Sequence, residues 1–305
     1  MVEGILPVWK EKGMTSFACV REVRRLLGIK KVGHAGTLDP EVDGVLPIAI
    51  GPATKVLEFM LEADKTYTGE ITLGYSTSTE DATGQVIEKK AVSERIKTEE
   101  IDEVLKQFQG VITQKPPMFS AVKVKGKRLY EYAFEGLEVA RPSREVEIKS
   151  LTRTSEPILD EQSETIRFSF EVSCSKGTYI RTLAVDIGKR LGYPAHMSQL
   201  TRIRSGEISS EQTSTLSEIE KAVTEGTIEN LLLPIDYGLN QFMHIKISDS
   251  LWNRVKNGAI LDEEDLEVVE FPVLLIYKET VVALYDKHPN KPGKLKPKKV
   301  FKIEM

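Results

Sequence analysis

Residues 33–40 read Gly33-His34-Ala35-Gly36-Thr37-Leu38-Asp39-Pro40, and the glycine-rich stretch runs on through Gly44-Val45-Leu46-Pro47 to Gly51. Proline restricts the residue before it to extended backbone, so Asp39 is held out of any helix. Gly33, Gly36 and Gly44 permit tight turns and the close approach of a second backbone or a ligand. A carboxylate on a glycine-framed loop is a position from which chemistry is done. Taken alone, an Asp before Pro more often caps a turn. The stretch has no Gly-Lys-Ser/Thr at phosphate-loop spacing and no dinucleotide fingerprint. Asp43 is a second carboxylate nearby, so a two-carboxylate glycosidase arrangement stands open beside a single catalytic Asp39.

Outward from this loop the pattern mixes helices and strands without strict alternation, which points to an α+β fold. Residues 5–9 form a short strand. Thr15 or Ser16 caps a helix to Leu27, with Phe17, Val20, Val23 and Leu27 inward and Arg21, Arg24 and Arg25 outward. A second helix covers 53–63 with Val56, Leu57, Met60 and Leu61 inward. Residues 67–75 alternate as a strand, and 98–108 form a helix with Glu99, Glu100 and Asp102 near its N-terminus. Residues 111–143 leave the core as a basic, aromatic excursion with a short helix near 129–133. Strands return at 145–153 and 165–174, followed by a helix over 179–191 and a capping box at Thr215-Leu216-Ser217-Glu218. Arg181 falls in the first turn of the 179–191 helix, where the dipole disfavours a cation, which points either to a specific anion partner or to a surface salt bridge. The composition changes near Gly238. Beyond it come a short helix at 250–257, an acidic stretch at 262–270, and strands at 273–278 and 281–285 joined through Glu279-Thr280. Two domains are expected, 1–243 and 244–305.

The chain has 305 residues and a net charge of −4. No apolar run reaches the roughly 20 residues of a membrane helix, and the N-terminus does not read as a signal peptide. Cys19 and Cys174 read as small buried apolar residues in a reducing cytoplasm. The four histidines are scattered, so no metal site is expected. The positive charge is concentrated. Residues 8–34 carry seven Lys/Arg against two acids, 115–130 five against none, 176–204 six against one, and 287–302 seven against none. Such blocks are either solvated surfaces or the footprint of a polyanion.

Five motifs decide between these. They are the 33–47 stretch; Lys65-Thr66-Tyr67; Pro116-Pro117-Met118-Phe119-Ser120-Ala121-Val122-Lys123-Val124 with Leu129-Tyr130-Glu131-Tyr132-Ala133; Gly177-Thr178-Tyr179-Ile180-Arg181-Thr182-Leu183-Ala184; and Leu200-Thr201-Arg202-Ile203-Arg204-Ser205-Gly206. In order and approximate spacing they resemble the TruB family of pseudouridine synthases over residues 4–240. The tail, 244–305, resembles the small RNA-binding PUA module. The resemblance implies a mixed, largely antiparallel sheet flanked by helices, with an inserted RNA-binding loop. It implies isomerisation of the uridine at position 55, in the T-loop of tRNA, to pseudouridine without cofactor or metal, by a cytoplasmic monomer.

By the same resemblance Asp39 is the catalytic carboxylate. Arg181 pairs with it and keeps it ionised by lowering its pKa. Tyr67 stacks on the flipped base, Tyr179 and Leu200 line the pocket, and His34 holds the flipped-out conformation. Lys10 and the loop cations Lys123, Lys125, Lys127 and Arg128 contact RNA, and the tail grips the acceptor stem. The chain departs from the family pattern at Glu11, Asp43 and Phe134. The competing readings are a non-catalytic tRNA-binding or folding chaperone, for which Asp39 is dispensable, and a glycoside hydrolase using Asp39 with Asp43.

Overall fold

The computed structural model describes residues 2–266 and 270–301. Positions 267–269 of the acidic stretch and Lys302 of the last basic block lie outside the described residues. The main sheet runs in the spatial order Gly4–Lys10, Asp43–Ile50, Ala195–Ser205, Lys65–Leu73, Thr165–Cys174, Arg144–Arg153 and Gly110–Gln114. Every neighbouring pair is antiparallel except Asp43–Ile50 beside Ala195–Ser205, which is parallel. The sheet is therefore mixed and largely antiparallel, as expected. Its strands form where apolar residues recur at every second position. Ile166, Phe168, Phe170 and Val172 all point to the core from one face of Thr165–Cys174, the period-2 signature of a half-buried strand.

Helix α1 (Ser16–Leu27) is capped by Thr15, whose hydroxyl accepts from the Ala18 amide at 3.0 Å, and it ends at Gly28 in the left-handed region, a standard pairing of caps. It buries Cys19, Val20 and Val23, but Phe17 is 62% exposed and not inward as expected. Helix α2 (Leu57–Glu62) is preceded by a 3-10 segment, Gly51–Val56, with Pro52 in its first turn. That tighter winding rotates the apolar face relative to a continuous α-helix. Phe59 goes inward with Val56 and Met60, whereas Leu61, expected inward, is exposed. Helices α3 (Thr98–Gln107), α4 (Leu129–Phe134) and α5 (Ile180–Arg190) follow, then α6 (Leu216–Glu225) behind its Thr215 capping box and α7 (Asp249–Val255). Ile101 and Leu105 of α3 and Leu183, Ala184 and Ile187 of α5 share one core with Phe168 and Phe170 of the sheet. Both cysteines are buried and free.

The excursion is shorter than the sequence suggests. Gly110–Gln114 belongs to the sheet and pairs with Arg144–Arg153, so only 115–143 leaves the core. A second sheet of five strands occupies the C-terminal part, from Met243–Lys246 to Lys294–Val300. Its central hairpin turns at Lys278-Glu279, one residue before the expected turn. Both residues have positive φ, 47° and 58°, the backbone that a two-residue hairpin loop needs. The module shares a core with the main body. Leu274, Val281, Leu284 and Phe301 pack with Ile5, Val45, Val56 and Phe59.

Candidate active site

The loop after Ala35 is pinned from both sides. The Ser16 hydroxyl at the start of α1 donates to Leu38 O, and the Leu38 amide donates back to it, at 3.2 and 2.9 Å. Lys10 is fully buried, and its ammonium donates to Glu11 O, Met14 O and Pro40 O at 3.0, 2.7 and 3.1 Å. Those three carbonyls use all three of its donors. Lys10, expected at the RNA surface, is instead buried here with its donors taken by main-chain carbonyls. It fixes the backbone one residue beyond Asp39. Glu11 contributes only its main-chain oxygen here, so this part of the arrangement does not depend on which side chain stands at that position.

The Asp39 side chain, 43% exposed, faces Arg181, which is buried on the first turn of α5. Arg181 Nε lies 3.0 Å from Asp39 Oδ2. Its other nitrogens are committed, Nη1 to Thr79 O at 3.0 Å and Nη2 to Phe119 O at 2.9 Å. Asp81 Oδ2 lies 3.9 Å from Nη1. One guanidinium thus ties together the Asp39 loop, the 79–81 turn and the root of the basic excursion. Burial pushes the Asp39 carboxyl above its ordinary value, Arg181 pulls it back, and Asp81 adds to the rise. Arg181 acts in the expected, lowering direction, but desolvation outweighs it, so the net shift is upward.

Asp39, Tyr67, Tyr179, Arg181 and Leu200 line one cavity of about 320 Å3, together with Gly36, Lys65, Ser120, Gly177 and Arg202. Burial pushes the Tyr67 phenol up, and the Arg202 side chain opposes that rise. Leu200 is 7% exposed and supplies an apolar wall. Tyr179 is positioned by Gln114, whose side chain accepts from the Tyr179 amide at 2.9 Å and donates to its carbonyl at 3.1 Å. A larger cleft of about 420 Å3, lined by Asp64, Arg204 and Tyr237 among others, contains none of the five residues. Volume therefore does not mark the chemistry, and the carboxylate–guanidinium pair does.

Arg202 was not singled out from the sequence. It is 1% exposed, with Nε donating to Val45 O at 2.7 Å and Nη2 to Gly36 O at 3.1 Å. The signal was present, since it stands two positions from Leu200 on the same face of one strand. Its backbone crosses Gly44 so closely that a Cβ there would lie 2.2 Å from Arg202 O, and Gly44 has φ 116°. Lys65, equally unforeseen, sits beside Arg202 and donates to Leu61 O and Ala63 O. Burial and Arg202 lower its ammonium to about 8.

Asp43 and His34, both considered from the sequence, lie outside this cavity's lining. Asp43 accepts from the Thr201 hydroxyl at 2.6 Å at the parallel strand crossing and is not among the residues lining the Asp39 cavity. His34 is on a short strand beside Asp43–Ile50, outside the cavity lining. Its Nδ1 is buried without a partner, and burial and Arg202 depress its pKa. The basic excursion forms a hairpin, Lys123–Val124 with Lys127–Arg128. Lys127 pairs with Glu135 and Arg128 lies over the Tyr130 ring, while Lys123 and Lys125 have no carboxylate partner among the described residues. Phe134 is 78% exposed and meets Phe119 and Tyr130 edge-on, at 5.8 and 6.2 Å. Among the described residues there is no cluster of three or more His, Cys, Asp or Glu able to hold a metal, and no helix is long and apolar enough to cross a membrane.

Comparison with known proteins gives concordant matches. Residues 24–180 match the family model for the TruB family pseudouridylate synthase N-terminal domain, and 181–240 match that for the tRNA pseudouridylate synthase B C-terminal domain. The chain is 51% identical to tRNA pseudouridine synthase B of Bacillus pumilus, covering 99% of this chain and 98% of the relative. It is 49% identical to the protein of the same name from Bacillus subtilis over the same shares. Among solved structures, the crystal structure of a Cbf5-Nop10-Gar1 complex contains a chain similar at TM-score 0.75 and 27% identity, covering 98% of this chain and 85% of that one.

Proposed function

Because the chain belongs to the TruB family of pseudouridylate synthases and isomerises uridine to pseudouridine in tRNA, we propose that Asp39 is its catalytic carboxylate and the T-loop uridine at position 55 its target. The observation that carries this is the Asp39–Arg181 pair at 3.0 Å in the wall of a nucleoside-sized cavity. Isomerisation breaks the N1–C1′ bond, turns the base and forms a C5–C1′ bond. The C5 proton leaves and N1 gains one, so mass and oxidation state are conserved. Three routes begin from ionised Asp39: attack on C1′, attack on the base, or removal of a ribose proton to give a glycal. Each needs the same carboxylate against the nucleoside.

A uridine within a folded T-loop has to leave its stack to reach this cavity. Tyr67 receives the base face, and Leu200 and Tyr179 close around it. Arg181 holds Asp39 ionised and oriented against the desolvation that the closed pocket imposes. The cations of the excursion, exposed Lys123, Lys125 and Arg128 with half-buried Lys127, follow the phosphate backbone of the T-arm. His34 steadies the displaced loop from outside the cavity. The C-terminal module, residues 244–305, acts as a PUA-like grip on the acceptor stem, and the enzyme works as a cytoplasmic monomer. Replacement of Asp39 by Asn tests the assignment. Pseudouridine formation in T-arm RNA is expected to be lost, with RNA binding kept within a few fold. Conversion at the wild-type rate by the variant would exclude Asp39 as the catalyst, whereas binding without any conversion by the wild-type protein would favour the chaperone reading.

A further inference from the structure

Arg144 stands at the end of its strand, directly opposite Gln114 in the register. Its guanidinium lies over the Tyr179 ring, 4.9 Å from the centroid, and Nη2 donates to the Tyr179 hydroxyl at 3.2 Å. A guanidinium has five N–H donors, and this is its one hydrogen bond among the described residues. It is half-buried, and no carboxylate among the described residues pairs with it. Because the tyrosine oxygen accepts here, its own proton is left to donate elsewhere. Arginine and tyrosine together present several N–H and O–H donors, side by side.

The neighbouring turn leaves them uncovered. Gly177 has φ 77°, and a Cβ at that position would lie 2.9 Å from Arg144 Nη1. Any side chain there would be strained and would crowd the guanidinium. Gly177 and Tyr179 both line the Asp39 cavity, so the free donors stand at its rim. Gln114 fixes the Tyr179 main chain from the adjacent strand, and bracing the Tyr179 side chain employs only one hydrogen bond of the Arg144 guanidinium. Two other cations of this part of the chain are already paired. Lys176 is paired with Glu62 and Lys149 with Asp64. Planar, donor-rich and without an anion, a guanidinium so placed suits a phosphodiester, which it can engage through two parallel hydrogen bonds.

We propose that Arg144, with the Tyr179 hydroxyl, binds a backbone phosphate flanking the flipped uridine and so sets the depth at which the nucleoside enters the pocket. This rests on the substrate assigned above. The test uses the full-length protein and T-arm RNA with a neutral methylphosphonate replacing the phosphate either 5′ or 3′ of the target uridine. Arg144→Gln is expected to lower the single-turnover rate or the affinity on ordinary RNA about 10- to 100-fold, with Arg144→Lys recovering part of the loss. At one of the two linkages the neutral replacement should cost the wild-type protein a similar factor and cost Arg144→Gln nothing more, and that linkage identifies the phosphate. If the two losses multiply, Arg144 acts only as a brace for Tyr179 and the proposal falls. It falls equally if neither neutral linkage weakens binding or turnover by the wild-type protein, a result that needs no variant to fold. RNA affinity is read without turnover. The absence of pseudouridine from ordinary RNA would therefore count against the substrate assignment, separately from the phosphate contact.

Discussion

Asp39 lies under two opposing influences, and the larger is desolvation. Its raised pKa means that ionised Asp39 costs folding stability. The cost is absent below the ordinary carboxylate value and develops as pH rises through the raised one. Asp39→Asn is therefore expected to unfold no earlier than the wild-type protein at neutral pH, in a thermal melt, while forming no pseudouridine. The same ionisation sets the acid limb of the rate. Activity falls as pH falls through the raised Asp39 value, earlier than an ordinary carboxylate would impose. Arg181 is the influence pulling that value down, so Arg181→Gln should move the limb to higher pH. It should also slow the reaction at least about 100-fold, since it frees the loop as well as the charge. A pH–rate profile with its acid limb unmoved in Arg181→Gln would show that the pair does not govern ionisation.

Among the elements, the parallel crossing of Asp43–Ile50 with Ala195–Ser205 joins the Asp39 loop to the strand that carries Leu200 and Arg202. Gly44→Ala places a Cβ against Arg202 O in a backbone region that alanine avoids, and a loss of roughly 2–4 kcal/mol is expected in denaturant unfolding. The excursion makes a separate prediction. Lys123→Gln with Lys125→Gln removes two unpaired cations, so the salt dependence of RNA binding should flatten by between one and two logarithmic units per logarithm of salt. Most strands and helices were legible because their apolar residues repeat at 2.0 or 3.6 positions. The errors fall where that period breaks. The 3-10 turn before α2 turned Leu61 outward, and Phe17 stands beside the face that α1 buries, which runs through Ser16, Cys19, Val20 and Val23. Lys10 was misread for another reason. A lysine in a basic segment resembles every other surface cation, and only the meeting of three carbonyls around its ammonium shows that it is buried. Arg202 was hidden by the same prejudice, although its alternation with Leu200 pointed inward.

At the scale of the whole molecule, an acidic chain presents separated basic surfaces, and the C-terminal one is less free than its composition suggests. Lys294 pairs with Asp262, Lys298 approaches Asp286 and Lys299 pairs with Glu58, whereas exposed Lys291 and Lys296 have no carboxylate partner among the described residues. The module is also bonded to the body by a common core, with Lys55 donating to Val300 O at 2.7 Å. Truncation near residue 243 would expose Ile5, Val45 and Val56 and confound any loss of affinity with a loss of fold. Lys291→Gln with Lys296→Gln is the cleaner test. Weaker binding of whole tRNA, with binding of the isolated T-arm unchanged, is expected if the module grips the acceptor stem. Equal effects on both RNAs would remove that role.

This chain alone, through Asp39, is expected to convert a T-loop uridine to its isomer. The direct measurement incubates purified protein with T-arm RNA, with nothing added, and follows nucleoside content and intact RNA mass by mass spectrometry. Pseudouridine replacing one uridine at constant RNA mass, and no conversion by Asp39→Asn, is the predicted result. Unchanged uridine with the wild-type protein, or release of free uracil with a loss of RNA mass, would contradict it.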